Sequence, residues 1–145
     1  MICSVEPYMT PYIAMQLAKL MDSIKGGRER VTTYLEYLRD FYDTGTIAVL
    51  TISNEKEILG FMHIEAPHPV FPERGFILMA AVSPIVSRKH SKELLDLAED
   101  WFTDKGVTVW EMQTERNPAV FSRACGAKMV NFHTMERQIN GRRRR

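Results

Sequence analysis

The segment from Phe76 to Phe102, FILMAAVSPIVSRKHSKELLDLAEDWF, constrains the fold more than any other part of the chain. It begins with the almost continuous apolar run FILMAAV, which predicts a strand that is buried on both faces. Ser83-Pro84 ends this strand, and residues 85–91 form a short basic loop. Apolar residues three and four positions apart then predict a helix that runs to about Lys105.

The basic loop is a candidate site for a phosphorylated ligand, because it leads directly into the start of a helix. The first peptide N–H groups of a helix have no partner within it, and the helix dipole favours an anion there. The alternative is a solvated basic turn that binds no ligand. After the helix, residues 107–115 (VTVWEMQTE) predict another strand, so this part of the chain predicts a parallel strand pair with a right-handed crossover.

The flanking segments complete a mixed α/β domain. Two helices are predicted first, from Thr10-Pro11 to Gly26-Gly27 and over about residues 28–42, and residues 1–10 are predicted to be an extended lead-in. Strands over 47–53 and 58–66 then form a hairpin. Beyond residue 115 the pattern predicts a short helix from Asn117 and a last strand over 128–139. The predicted order is α-α-β-β-β-α-β-α-β, a single domain over residues 1–141 with a mixed sheet, three antiparallel strands first, and helices on both faces.

Charge is concentrated at the C-terminus. Removing the run 142–145, RRRR, from the 19 basic residues leaves 15 against 18 acidic ones, so the formal net charge of +1 becomes −3. The mildly acidic body argues against nucleic-acid binding. The tail is either a solvated terminus or a contact point for an acidic partner, with a protein partner favoured over nucleic acid.

Composition and residue spacing argue against a membrane-spanning, a secreted or a metal-binding protein. Hydrophobic residues make up 45% of the chain, which is enough for a core, and no apolar run approaches the roughly 20 residues of a membrane span. The start, MICSVEPYMT, does not resemble a secretory signal, and Cys3 and Cys125 have no metal or redox spacing. We therefore expect a cytoplasmic protein that binds no membrane. The four histidines lack paired metal spacing, so we expect no metal site, and a lone strand histidine such as His63 is interpreted as structural.

Two motifs resemble those of the GNAT superfamily of acyl-CoA-dependent N-acyltransferases. AAVSPIVSRKHSKELLDLAEDWFTDKG is similar to the family's central motif of strand, Val-x-Pro, phosphate loop and Leu-rich helix. NPAVFSRACGAKMV is similar to its next motif, and FSRACGA looks like compact GNAT-like proteins of some tailed phages. The element order matches over about residues 10–139. The resemblance implies a GNAT fold, transfer of an acetyl group from acetyl-CoA to an amine-bearing small molecule or protein, and a host cytoplasm or virion location if the protein is phage-encoded.

The resemblance also implies which residues hold the coenzyme. In the family, the pantetheine arm lies along the strand edge after a bulge, where Ala81 and Val82 would supply backbone groups. The pyrophosphate lies on the loop and helix start. The full set of cofactor-binding residues implied is Ala81, Val82, Val86, Ser87, Arg88, Lys89, His90 and Ser91 in the central motif, and Asn117 and Phe121 in the next.

The same motifs depart from the family pattern at three points. The glycines of the phosphate loop are replaced by Lys89 and Ser91, and Ser122 stands where a Tyr often protonates the leaving thiolate. The central strand carries no carboxylate, so Glu65, Glu111 or ordered water would have to act as base. The catalytic residues are therefore unassigned. These departures keep a second hypothesis open: a catalytically inactive GNAT-fold protein used for assembly or interaction, such as a phage virion component. Pairing through the last strands would permit a homo-oligomer.

Overall fold

The computed structural model describes residues 1–112 and Arg137. The chain divides into two compact units, Met1–Gln113 and Thr114–Arg145. The first unit contains every helix and strand reported below. The predicted helix from Asn117, the last strand over 128–139 and the Arg tail lie outside the described residues. A single domain over residues 1–141 therefore stays a prediction.

Strands and helices in the first unit follow the predicted succession closely. The strands are β1 (Ile2–Val5), β2 (Ile47–Ser53), β3 (Ile58–Glu65), β4 (Arg74–Val82) and β5 (Val109–Glu111). The α-helices are α1 (Pro11–Met21), α2 (Val31–Phe41) and α3 (Arg88–Asp104), with single 3-10 turns at Arg28–Arg30 and Tyr42–Thr44. The predicted helix start is confirmed at α1, where the Thr10 hydroxyl accepts the N–H of Ile13 and Pro11 occupies the first turn.

The sheet has the mixed arrangement that the sequence predicts. Within the described residues its order is β1-β2-β3-β4-β5, with antiparallel pairs up to β4 and a parallel pair between β4 and β5. The predicted lead-in over residues 1–10 is extended at Ile2–Val5, but the predicted order lacked this strand, β1, which pairs with β2. Four residues are too few to show a clear alternation, so this strand is determined by the available edge of β2.

Helices cover both faces of the sheet, as predicted. On one face, α3 packs Leu94, Ala98 and Phe102 against alternate residues of β2 and β3. On the other face, α1 and α2 contribute Leu17, Met21, Tyr34 and Leu38 to a second cluster. We call these the α3 face and the α1/α2 face. Successive side chains of a strand point to opposite faces, so each central strand serves both clusters.

Two predictions about the central segment need correction. β4 is only partly buried, and Leu78 at its middle is 50% exposed, so FILMAAV is not a strand buried on both faces. The helix α3 begins at Arg88, three residues inside the predicted loop. Arg88, Lys89, His90 and Ser91 therefore lie in its first turn. The physical reason is Ser87, whose hydroxyl accepts the N–H of His90 and starts the helix there.

Candidate functional site

β4 contains one residue more than its partner β3 can pair with. His63 lies opposite Met79 and Ile64 lies opposite Ile77, which leaves Leu78 as the extra residue of a β-bulge. The bulge exchanges the two faces of the strand. Ile77 belongs to the cluster on the α3 face, whereas Met79 belongs to the one on the α1/α2 face. A bulge bends the strand and increases its local twist, which helps a neighbouring strand to diverge.

Within the described residues, β5 pairs with the first part of β4, from Arg74 to Phe76, which ends two residues before Leu78. The N–H of Ser83 donates to the carbonyl of Leu59 on β3 at 2.7 Å. Backbone groups alternate between the two edges of a strand, so those of Ala81 also point to β3. The groups of Ala80 and Val82 point to the opposite edge, on the side of β5.

The loop after β4 carries the predicted phosphate-binding residues into the start of α3. Ser87 is the N-cap, and its Oγ atom lies 2.8 Å from Nδ1 of His90. The side chains of Arg88 and Lys89 are exposed. Val86 packs against the α3-face cluster and anchors the loop. In the first turn, the N–H of His90 donates to the Ser87 hydroxyl and that of Ser91 to the Ser87 carbonyl, so the amides of Arg88 and Lys89 are the ones that lack an acceptor within the helix.

The structure therefore places most of the predicted residues along one continuous stretch. Ala81 and Val82 end β4, Val86 and Ser87 form the loop, and Arg88 to Ser91 form the first turn of α3. Asn117 and Phe121 lie outside the described residues, and so does Ser122. Within the described part, no three His, Cys, Asp or Glu side chains come close enough together to hold a metal ion, and no helix is long and apolar enough to cross a bilayer.

A buried polar cluster lies between α2 and β3, the strand that pairs with β4. His63 is completely buried, and its Nδ1 atom is 2.8 Å from the hydroxyl of Tyr34 on α2. Its Nε2 atom is buried, has no hydrogen-bond partner among the described residues, and lies 3.9 Å from Oε2 of Glu65. Leaving such an atom unpaired costs about 1–3 kcal/mol, so the arrangement is less stable than an apolar one of the same shape. We call Tyr34, Tyr37, His63 and Glu65 the α2–β3 cluster.

Glu65 is the end of the cluster that reaches the surface, with 23% of its side chain exposed. The hydroxyl of Tyr37 donates a short hydrogen bond to its Oε1 atom. The His63 imidazole, and after it the Tyr37 hydroxyl, lower the pKa of the Glu65 carboxyl, while partial burial opposes them. Burial and the bond to Glu65 raise the pKa of Tyr37 to about 12. Glu65 is therefore ionised and Tyr37 is neutral at physiological pH.

Glu111, the other carboxylate considered as a base, forms an ion pair with Arg74. It lies on β5, where its Oε2 atom is 3.3 Å from a guanidinium nitrogen of Arg74. Both side chains are exposed by about two fifths, at 39% and 41%. The pair joins β4 to β5 at the point where the two strands run together, so its role is to hold that contact.

Comparisons with known proteins identify this architecture. No protein-family profile matches the sequence, and no curated protein matches it. Solved structures match nearly the whole chain. The aminoglycoside N-acetyltransferase AAC(6')-Iy, solved with a bisubstrate analogue of CoA and acetylneamine, has a TM-score of 0.76 at 15% identity and covers 97% of this chain and 100% of its own. A transcriptional regulator from Bacillus halodurans C-125 has a TM-score of 0.76 at 13% identity, covering 94% of this chain and 100% of its own.

A third match is a ribosomal-protein-alanine N-acetyltransferase from Brucella melitensis biovar Abortus 2308. Its TM-score is 0.67 at 17% identity, and the match covers 94% of this chain and 99% of that one. The chain has the GNAT acyltransferase fold. Identities this low establish the fold and nothing finer. The bulge at Leu78 lies on β4, next to β5, which is the last strand of the described sheet.

The sequence-based interpretation missed the α2–β3 cluster, although a signal for it was present. His63 and Glu65 are two residues apart on a strand and must share a face. Tyr34 and Tyr37 are three apart on a helix and must share one as well. Nothing in the sequence showed that these two faces meet, because β3 and α2 are brought together only by the packing of the α1/α2 face. Complete burial and the contact with Tyr34 agree with a structural role for His63, while its Nε2 atom has no hydrogen-bond partner among the described residues.

Proposed function

We propose that the protein is an acyl-CoA-dependent N-acyltransferase, which transfers an acetyl group from acetyl-CoA to an amine. The observation that carries this proposal is the open edge of β4, by which we mean the edge beyond Phe76 that pairs with no described residue of β5, next to the bulge at Leu78. An extended chain can bind such an edge through its amide groups, as an added strand does. The matching structure of AAC(6')-Iy contains CoA, and its fold is shared over almost the full chain.

The residues present fit an extended pantetheine arm with a pyrophosphate at its end. The backbone groups of Ala80 and Val82 point to the open edge, so we propose these two, rather than Ala81, as the partners of the arm's amides. The amides of Arg88 and Lys89, which start α3 six residues after Val82, would supply donors for the pyrophosphate, because those of His90 and Ser91 donate to Ser87. Lys89 replaces a family glycine, and its side chain is exposed.

Acetyl-CoA supplies an activated thioester when bound. Transfer replaces its C–S bond by a C–N bond. A proton passes from the amine to the released thiolate through solvent or the protein. The chain's own contribution is to orient the two reactants and to supply charge. Arg88, Lys89 and Lys92 bring positive charge to the phosphate end. At the other end, Glu65 is an ionised carboxylate that the cluster holds in place.

Titration calorimetry with acetyl-CoA, using two neighbouring proline variants, tests the proposal. The wild type should bind. Val82→Pro removes an N–H that faces the open edge, so it should weaken binding by about tenfold or more with little change in the melting temperature. Ala81→Pro removes an N–H that faces β3 and should destabilise the fold itself.

The alternative hypothesis gives the opposite result. An inactive GNAT-fold protein used in assembly, including a phage virion component, would release no heat with acetyl-CoA at high protein concentration. Binding by the wild type that is equally strong in Val82→Pro would show that the open edge of β4 is not the coenzyme site. The tail 142–145 remains the proposed contact for a protein partner in that case, and its deletion should weaken the partner complex in a salt-dependent way.

A further inference from the structure

We propose that Glu65 recognises a positively charged amine on the acceptor, with the rings of Tyr37 and Phe41 beside it. This inference rests on the proposed function and names its acceptor class. That class is a basic amine that binds as an ammonium ion, as opposed to a weakly basic nitrogen that binds uncharged. The argument uses the free hydrogen-bonding capacity of Glu65, its buried support, its aromatic surroundings and its position in the sheet.

The Glu65 carboxylate has unused capacity to accept hydrogen bonds. Two carboxylate oxygens offer about four lone-pair sites. Only Tyr37 donates to them among the described residues, through a bond to Oε1, and the nearest nitrogen of His63 stays at 3.9 Å from Oε2. With 23% of the side chain exposed, an ammonium group can reach the remaining sites. Such a charge-assisted bond is stronger than one between neutral groups.

His63 gives Glu65 a support that ordinary core packing does not explain. It is fully buried, and its unpaired Nε2 atom is directed at the carboxylate from the interior side. Its other nitrogen is fixed by Tyr34, so the ring cannot turn away without losing that bond. A buried polar atom without a partner requires an explanation. Here it keeps the carboxylate charged and oriented while leaving its outer sites open to a ligand.

The surroundings of Glu65 suit a cation. Tyr37 packs against His63 with ring centroids 6.0 Å apart, and against Phe41 with centroids 5.2 Å apart. Phe41 is 48% exposed, so its ring is accessible to a ligand beside Glu65. A carboxylate next to aromatic rings is the typical environment for binding ammonium groups, through charge pairing and cation–π contact.

The position of Glu65 relates it to the open edge of β4. Its partner in the ladder is Phe76, which is also the last residue of β4 that pairs with a described residue of β5. The carboxylate therefore belongs to the strand next to β4, about 4.8 Å away, at the level where the open edge begins. An ammonium group held by Glu65 on the α1/α2 face, after it has lost a proton to solvent, would approach a thioester on β4 from a neighbouring strand.

Ligand binding can test this inference without any acyl transfer. Phenethylammonium is titrated into the wild-type protein, and phenethyl alcohol, its uncharged counterpart of similar shape, serves as the control ligand. The NMR signals of the His63 ring report binding. We expect saturable shifts with the ammonium ion that weaken with salt and little response to the alcohol. In Glu65→Gln, the affinity for the ammonium ion should fall by about tenfold or more.

Two further variants separate recognition from a structural role. Glu36→Gln makes the same change in charge at an exposed position of α2 and should bind like the wild type. Tyr37→Phe removes the hydrogen bond that helps to lower the pKa of Glu65. The loss of ammonium binding on acidification should therefore begin at a higher pH in Tyr37→Phe. The groups facing Glu65 in this experiment are His63 from β3 and Tyr37 from α2, with Tyr34 deeper in the cluster.

The outcomes distinguish this inference from the proposed function. Equal affinity of the wild type and Glu65→Gln for phenethylammonium, or equal binding of the ammonium ion and the alcohol, overturns the recognition role even if acetyl-CoA binds. Selective ammonium binding that depends on Glu65 supports it even if the calorimetry with acetyl-CoA is negative, in which case only the acyltransferase proposal fails.

Discussion

His63 has two ring nitrogens in the protein interior, and its neighbours determine which of them carries the proton. The Tyr34 hydroxyl can donate to Nδ1, which places the proton on Nε2, facing Glu65. The opposite tautomer would direct a nitrogen lone pair at a carboxylate and would be repelled. The Tyr34 hydroxyl remains protonated throughout, because burial and, after it, the nearby Tyr42 and Glu65 raise its pKa. The cluster thus has one preferred protonation pattern.

Tyr34→Phe should destabilise the protein more than the loss of a typical surface hydroxyl. It leaves both ring nitrogens of a fully buried His63 unpaired, which we expect to lower the free energy of unfolding by about 1–3 kcal/mol in urea denaturation. Tyr12→Phe is the matched control, because the Tyr12 hydroxyl bonds to Lys56 at an exposed site. Adding His63→Leu to Tyr34→Phe should recover part of the loss. A double variant that is less stable than Tyr34→Phe would contradict the view that the unpaired nitrogens of His63 cause the loss.

The stability supplied by Glu65 should depend on pH. Its pKa is lower in the folded protein than in the unfolded chain, so its contribution is present above the ordinary carboxyl pKa and is lost as the pH falls through the folded value. The difference in free energy of unfolding between the wild type and Glu65→Gln should therefore be largest near neutral pH and shrink below about pH 4. The same difference for Glu36→Gln should stay close to zero. A difference for Glu65→Gln that grows on acidification would reverse the sign assigned here.

At the scale of elements, the join between β4 and β5 depends on close packing against α3. Gly75 pairs with Trp110 there, and a Cβ atom at Gly75 would lie 2.5 Å from Cε1 of Phe102. Phe102 is 2% exposed, so its ring has little room to move. The glycine therefore lets the strand and the helix approach each other where β4 pairs with β5.

Gly75→Ala should test this contact. We expect overpacking against Phe102 to lower the free energy of unfolding by about 1–3 kcal/mol. In a Phe102→Leu background, where the ring is absent, the same substitution should cost less, and a double-mutant cycle from urea denaturation measures the coupling. Equal costs in the two backgrounds would show that the ring does not limit the approach of β4 to α3.

Elements differed in how well the sequence predicted them. β2 was predicted with its observed bounds, because IAVLTIS is rich in β-branched residues and is flanked by turn residues. The start of α3 was placed too late, since the basic residues after Ser87 were taken for loop although they form the exposed first turn. The bulge at Leu78 could not be located from FILMAAV, because an apolar run gives no alternation from which an extra residue could be detected.

At the scale of the whole molecule, the GNAT fold was predictable because its order of elements and its central motif are local patterns. The candidate site was predictable only where it follows the chain continuously, from Val82 through Ser87 into α3. The α2–β3 cluster joins residues 29 positions apart, Tyr34 and His63, and such contacts are set by packing. The role of the chain as an acyltransferase remains a proposal for the same reason: it depends on side chains and edges that the fold brings together.

The bulge at Leu78 changes how the residues of β4 are assigned to the two faces of the sheet. Residues on either side of it are assigned to opposite faces by counting, with Ile77 on the α3 face and Met79 on the α1/α2 face. Deleting Leu78 would make Ile77 and Met79 neighbours on opposite faces, which is the regular alternation of a strand, so the flanking side chains would keep their faces. The extra residue therefore determines the local bend and twist of β4, and the faces of the flanking side chains do not depend on it.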